Sequence, residues 1–363
     1  MPDLKDIILK LSSSKGVLDY SDFETQLSEC GCDRAVISRI FREVSCTNPF
    51  MNFSDRDYAR FFDVGSNDKN RQDILDSLAR AKAAVKKARA SSVKVLVAAM
   101  PKSGSTFFTH CLAKALKASV TSLMTAQINE ISKSGINGCF QELDEWALIL
   151  KSLILHRGFV AQHHIQGTVY SENLLKSYGI ERFVLFRNIF DGLVSADDMI
   201  MQQPGWTHWA LQGTIKIPKD FTSLDETERL RIRGYRYLPW CIDFYLSYKR
   251  LEKNGAMINW VRYESDIAGL KTGESNLAEN IAHMLGLNEG QAQSVLEAFN
   301  VDVSKKDSSM RYNKGVVGRG SKVPEELVHL AVSYCKVYGE ELDGVDFANL
   351  LGQDIAEAYG LNK

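Results

Sequence analysis

VKVLVAAMPKSGSTFFT, residues 93–109, decides the fold class. Val95, Leu96, Val97, Ala98 and Ala99 make a short apolar run rich in β-branched residues, the pattern of a parallel strand buried on both faces. Pro101 and Gly104 end that strand. Ser103, Ser105 and Thr106 supply hydroxyls and candidate N-caps, and residues 107–117 continue at helical spacing. A strand, a turn of small residues and a helix make a cradle for an anion, because the free N–H groups of the turn and of the first helical turn point out of the helix end. Lys102 adds a positive charge on a flexible stem.

The order of residues in this turn separates it from a nucleotide-binding Walker loop. That loop reads G-x-x-x-x-G-K-S/T, with the lysine after the last glycine and a hydroxyl for Mg²⁺. Here Lys102 precedes Gly104, and no G-K-S/T stands at this site.

Composition bounds the rest. The 363 residues are 45% hydrophobic and 25% charged, with a net charge of −1. This suits one large globular domain with a small companion. A neutral balance favours neither nucleic acid nor an anionic membrane as partner. The first residues lack a basic segment followed by an apolar core, so no signal peptide is expected, and no apolar run is long enough to predict a membrane span. The seven cysteines form no C-x-x-C pair, and Cys30 and Cys32 stand too close for a zinc pair. Reduced thiols and a cytoplasmic location are the expectation.

Residues 1–66 read as a small all-α module. Leu4, Ile7, Ile8 and Leu11 share a helical face, Ser21 and Glu24 make a capping box, and Asp33 and Ser54 can cap two further helices. The helix spacing resembles a degenerate pair of EF-hands. Lys15, Phe50 and Met51 occupy positions where a Ca²⁺ loop needs oxygen ligands or its glycine, and Asp22 and Asp57 stand in place of the terminal glutamate. Residues 67–92 read as a connector helix with Ile74, Leu75, Leu78, Ala81 and Val85 on one face. The six basic residues from Ser77 to Lys94, with no acidic one among them, are most simply a solvated face.

From residue 93 on, strand-like runs alternate with helical stretches, predicting a parallel central sheet flanked by helices on both faces. GFVAQHH (158–164) ends a strand with two histidines, of which only one can face a site beside the strand end. RFVLFRN (182–188) delivers Arg187 to the C-terminal edge of a buried strand, and Ser195 follows two helical turns into the next helix. A bidentate cation with a hydroxyl donor suits a phosphate. INWVRYE (258–264) ends a third strand at Tyr263.

These strings together resemble the sulfotransferases that use 3′-phosphoadenosine 5′-phosphosulfate (PAPS). PKSGST resembles their 5′-phosphosulfate loop, P-K-S-G-T-T-W: Lys102, Ser103, Gly104 and Thr106 match, while Ser105 replaces a threonine and Phe107 a tryptophan. Arg187, Asn188, Asp191 and Ser195 match all four fixed positions of R-N-x-x-D-x-x-x-S, the 3′-phosphate motif. Tyr263 falls in the family's R-Y-E strand end. Lys314, Gly315 and Gly318 match its R-K-G-x-x-G loop, with Asn313 in place of the arginine. The resemblance covers residues 93–351.

It implies a P-loop-like sulfotransferase domain (93–363) that moves a sulfuryl group in line from PAPS to a hydroxyl or amine of a small molecule, leaving adenosine 3′,5′-bisphosphate (PAP). No metal is implied. Lys102 stabilises the leaving oxygen, and a histidine is the base. The family's spacing from the motif arginine favours His164 over His163. The implied donor contacts are Lys102, Ser103, Gly104, Ser105 and Thr106 at the 5′ end, Arg187, Ser195, Asn313, Lys314 and Gly315 at the 3′-phosphate, with Ser195 also beside the chemistry, and Tyr263 at the adenine. Trp206, His208 and Trp209 are the acceptor-pocket candidates. Two other classes remain: a P-loop kinase using ATP, and a nucleotide-binding scaffold without turnover.

Overall fold

The computed structural model describes residues 93–123, 158–202, 220–300, 316–340 and 344–361, with Leu342 and scattered positions between 142 and 155. The helical module and connector read in residues 1–92 lie outside the described residues. So do Trp206, His208, Trp209, Asn313, Lys314 and Gly315. The chain divides into two compact units. The candidate site belongs to the one formed by Val93–Ser122, Glu130–Glu142 and Val160–Lys363.

Among the described residues, five strands form one sheet: β1 (Lys94–Ala99), β2 (Ser119–Thr121), β3 (Phe159–His163), β4 (Glu181–Phe186) and β5 (Asn259–Arg262), in the order β2-β3-β1-β4-β5. The predicted first strand is present and buried along its whole length. Covering both faces of a sheet removes the polar alternation from its strands, which is why this one reads as a continuous apolar run. β1 and β4 are parallel with Ala99 opposite Leu185, and β4 and β5 are parallel with Phe186 opposite Arg262. The C-terminal ends of these three strands therefore open on one edge. The chain switches sides between β1 and β4: the connection after β1 leads to β2 on one side of the sheet, and the connection after β4 leads to β5 on the other. Such a switch point leaves a crevice at the carboxyl edge of the sheet.

Helices cover the sheet: α1 (Ser105–Leu116), α2 (Val169–Tyr178), α3 (Ile189–Gln202), the 28-residue α4 (Glu226–Lys253), α5 (Leu277–Met284), α6 (Glu289–Phe299) and α7 (Glu325–Gly339). α1 packs on α6 through Phe107 and Phe108, whose rings meet Phe299 at 6.0 and 5.5 Å, and Phe108 also meets Phe183 of β4 at 5.4 Å. Each such buried ring contributes on the order of 2–3 kcal/mol, which fixes the axis of α1 and the aim of its N-terminus. α4 begins at Asp225, whose carboxylate accepts from the Glu228 N–H at 2.9 Å, and it packs against both α3 and α7.

Candidate active site

The turn after β1 is held by its carbonyls. His164 Nδ1 lies 2.7 Å from the Ala99 oxygen, the Ser103 hydroxyl donates to the Met100 oxygen at 2.7 Å, the Tyr237 hydroxyl donates to the Pro101 oxygen at 2.8 Å, and Arg187 Nη1 donates to the Lys102 oxygen at 2.9 Å. Four consecutive carbonyls are thus tied by four side chains. Lys102 takes a left-handed φ of 69°, rare for a residue with a Cβ, and the Arg187 bond to its own carbonyl holds it there.

Gly104 follows with φ 79° and forms the N-cap of α1 with no side-chain cap bond. This corrects the expectation that Ser103, Ser105 or Thr106 would cap the helix. The Ser103 hydroxyl is spent on Met100, and its N–H points back to the same oxygen at 3.3 Å. A helix start without a side-chain cap leaves its first N–H groups to an external acceptor. Gly104 is required twice over: its φ favours glycine, and a Cβ would come within 3.0 Å of Ile267 and 3.2 Å of the Tyr263 ring.

Of the two histidines, His163 closes β3 and is 2% exposed, its pKa pushed down to about 3, first by burial and then by its neighbour His164. His164, one residue past the strand, reaches the sheet edge. A carbonyl only accepts, so the 2.7 Å contact with Ala99 puts the ring proton on Nδ1 and leaves Nε2 with its lone pair. Burial lowers the His164 pKa most, the Ala99 bond raises it, and Lys102 lowers it. The ring is therefore neutral and within electrostatic reach of the Lys102 ammonium. Trp240 of α4 meets the His164 ring edge-to-face at 6.4 Å.

The 187–195 stretch shows what each motif residue does. Arg187 is 4% exposed, with Asp191 at 3.6 Å, Glu264 at 3.9 Å and the Tyr263 ring 4.2 Å below its guanidinium. Asn188 caps α3, its side-chain oxygen accepting from Phe190 and Asp191 N–H at 3.0 and 3.1 Å. Asp191 accepts from Gly318 N–H at 2.8 Å and Gly320 N–H at 2.6 Å, seating the C-terminal end of the R-K-G-x-x-G region on α3. Gly320 leaves room for this, since a Cβ there would lie 2.6 Å from the Phe190 Cβ. Arg319 closes the contact with Asp198 at 2.7 Å. Ser195 is buried on the same helix, one turn beyond Asp191. Lys102 extends toward Met199, with 3.4 Å from Nζ to the sulfur.

The sheet edge thus carries, strand by strand, His164, Lys102, Arg187 and Tyr263. Sequence reasoning found these four. It missed Tyr237 and Trp240 of α4, the seat that Asp191 makes, and Gly320. The G-R-G string at 318–320 was a readable signal for the last of these.

No family model and no curated protein matches the chain. Among solved structures, mouse sulfotransferase SULT7A1 complexed with PAP aligns with 75% of this chain and 92% of its own, at 12% identity and a TM-score of 0.42. Among the described residues, no helix is long and apolar enough to cross a membrane.

Proposed function

We propose that the chain is a sulfotransferase that moves a sulfuryl group from PAPS to the hydroxyl or amine of a small molecule. The observation that carries this reading is the convergence, at one sheet edge, of a helix start without a side-chain cap, the Lys102 ammonium, a neutral His164 and the buried Arg187. With the Ser103 hydroxyl given to Met100 and no side chain capping α1, the N–H groups at the helix start suit a phosphate. In this reading the N–H groups of Gly104, Ser105 and Thr106 hold the 5′-phosphate with Lys102, and Ser103 shapes the turn. Arg187, Ser195, Lys314, Asn313 and Gly315 surround the 3′-phosphate, and Tyr263 borders the adenine. When bound, the donor supplies an activated sulfuryl group, whose bond to the leaving oxygen breaks as the bond to the acceptor forms.

The chain's own groups then divide the work. His164 Nε2 takes the proton of the acceptor hydroxyl, a task suited to an imidazole with Nδ1–H anchored on a carbonyl. Lys102 meets the negative charge that grows on the leaving oxygen. Arg187 holds both the carbonyl of Lys102 and, through Asp191, the segment leading to Lys314, so the two phosphate sites share one frame. The acceptor pocket would take Trp206, His208 and Trp209, and the free thiols of Cys111, Cys241 and Cys335 suit work in the cytoplasm.

The test is calorimetric titration with PAP and with ATP plus Mg²⁺, on wild type and Arg187→Lys, followed by transfer of label from ³⁵S-PAPS to phenols and amines. The lysine keeps the charge and loses the fork. PAP should bind in preference to ATP, with affinity falling about tenfold or more in the variant, as the loss of a hydrogen bond from a charged group predicts. Preference for ATP would return the site to the kinase reading. PAP binding with no label transferred would leave a binding scaffold.

A further inference from the structure

The α4 face that runs toward the site carries more arginines than carboxylates paired with them among the described residues. Arg229, Arg233, Tyr237 and Arg236, Trp240 recur at helical spacing, so their side chains lie along one side of the helix. The stripe ends at the reacting groups: Trp240 touches the His164 ring, and Tyr237 holds the Pro101 carbonyl. Arg229, farthest out, is neutralised by a fork onto buried Asp197, with Nε at 3.0 and 3.3 Å from its two oxygens and Nη2 at 3.0 Å. Arg319 takes Asp198. That uses both carboxylates on this part of α3.

Arg233 and Arg236 stand between the paired arginine and the site. Among the described residues, neither makes a hydrogen bond or an ion pair. The Arg233 Nε is buried without a partner. Burial pulls the Arg233 pKa down to about 10, Asp197 opposes this, and Arg236 adds repulsion. Two adjacent guanidinium groups partly withdrawn from water and left unpaired are costly. Each lies one helical turn, ~6 Å along the axis, from a residue that touches the catalytic frame.

Resting on the sulfotransferase reading, we infer that the acceptor carries an anionic group, which Arg233 and Arg236 bind while its hydroxyl faces His164. A carboxylate, a phosphate or a sulfate already on the acceptor meets the same two forks. Charge is the selected feature, and the aromatic or aliphatic body between the two ends is not.

The test uses the full chain saturated with PAP and three phenols that differ in charge: 4-hydroxyphenylacetate, p-cresol and tyramine. Affinity is read by calorimetry on wild type, Arg233→Gln/Arg236→Gln and Arg233→Lys/Arg236→Lys, with circular dichroism to verify the fold of each. The anion should bind about tenfold tighter than p-cresol, and tyramine weaker still, as one charge-assisted contact predicts. The glutamine pair should erase that order, and the lysine pair should restore part of it. Phosphate- and sulfate-bearing phenols in place of the carboxylate rank the anions. Equal binding of the three phenols, no binding of any, or an anion preference that survives the glutamine pair overturns the inference. If PAP itself does not bind, the donor-site reading fails. An Arg233-dependent preference for the anion would then still stand alone.

Discussion

Acidification offers the sharpest test of how the two histidines divide. His163 has an ordinary imidazole pKa of about 6.5 when unfolded and about 3 in the fold. Between those values the unfolded chain binds a proton that the native chain refuses. Unfolding free energy therefore rises with pH across this window, and the contribution is fully present above about pH 6.5 and lost as pH falls toward 3. One proton gives a slope of at most about 1.4 kcal/mol per pH unit. From about pH 6.5 to about pH 4.5 that amounts to roughly 2–3 kcal/mol, a large share of the ~5–15 kcal/mol that holds an ordinary domain. The assay is urea unfolding at several pH values on wild type and His163→Asn. The variant's offset at neutral pH reports lost packing and drops out, because only the slopes are compared, and the carboxylates common to both proteins cancel. Wild type should lose stability faster by up to ~1.4 kcal/mol per unit in this window. Parallel slopes would refute the burial argument. The corollary for the proposed reaction is that His163 stays neutral wherever the chain is folded. Any acid limb in the turnover profile then belongs to His164, below the usual imidazole range because burial and Lys102 lower its pKa.

Three substitutions test the frame. His164→Gln keeps a donor toward the Ala99 carbonyl and removes the proposed base; turnover should fall by about 10²–10⁴ while PAP still binds by calorimetry. Gly104→Ala forces a Cβ against Tyr263 and Ile267 at a left-handed φ, so thermal unfolding should show a loss of ~1–3 kcal/mol together with lost PAP binding. Asp191→Asn leaves one acceptor oxygen for two N–H groups, Gly318 and Gly320. PAP affinity should drop about tenfold or more, and limited proteolysis near residues 316–320 should speed up; unchanged cleavage would mean that Asp191 does not seat this segment.

What was legible in the sequence followed local periodicity. β1 was readable because burial on both faces leaves Val95 to Ala99 without a polar residue, and the turn because Pro101 and Gly104 interrupt the chain. Arg187 was readable because a strand so apolar ends in one charge. The helix cap was misread because serine propensity is an average over helices whose hydroxyl is free, and here Ser103 is drawn off to Met100. The choice between His163 and His164 needed the strand's last residue, which burial sets to His163. Tyr237 lies 136 positions from its partner Pro101, and no local pattern encodes so distant a bond. The same holds for Arg233: as sequence it is one of several arginines on an amphipathic helix, and only the pairing of Arg229 with Asp197 and of Arg319 with Asp198 shows it to be left over.

The four carbonyl bonds explain why a loop with one flexible lysine can serve as a preformed anion site. A peptide plane is rigid, so its C=O and N–H point in opposite directions. Fixing the oxygens of Ala99, Pro101 and Lys102 from three separate elements, and that of Met100 from Ser103 within the turn, fixes the path of the chain into Gly104, and with it the direction of the first N–H groups of α1. The cost of arranging dipoles is met on folding rather than at the moment of reaction, the condition under which electrostatic stabilisation of a developing charge is strongest. It also follows that the donors are not interchangeable. In the proposed reaction Arg187 and His164 have further roles, so losing either removes a chemical group and a strut together. Tyr237 has only the strut. Tyr237→Phe therefore isolates the frame: turnover should fall with PAP affinity, although no group on the reaction path has been removed. Unchanged kinetics would mean that three carbonyl bonds suffice.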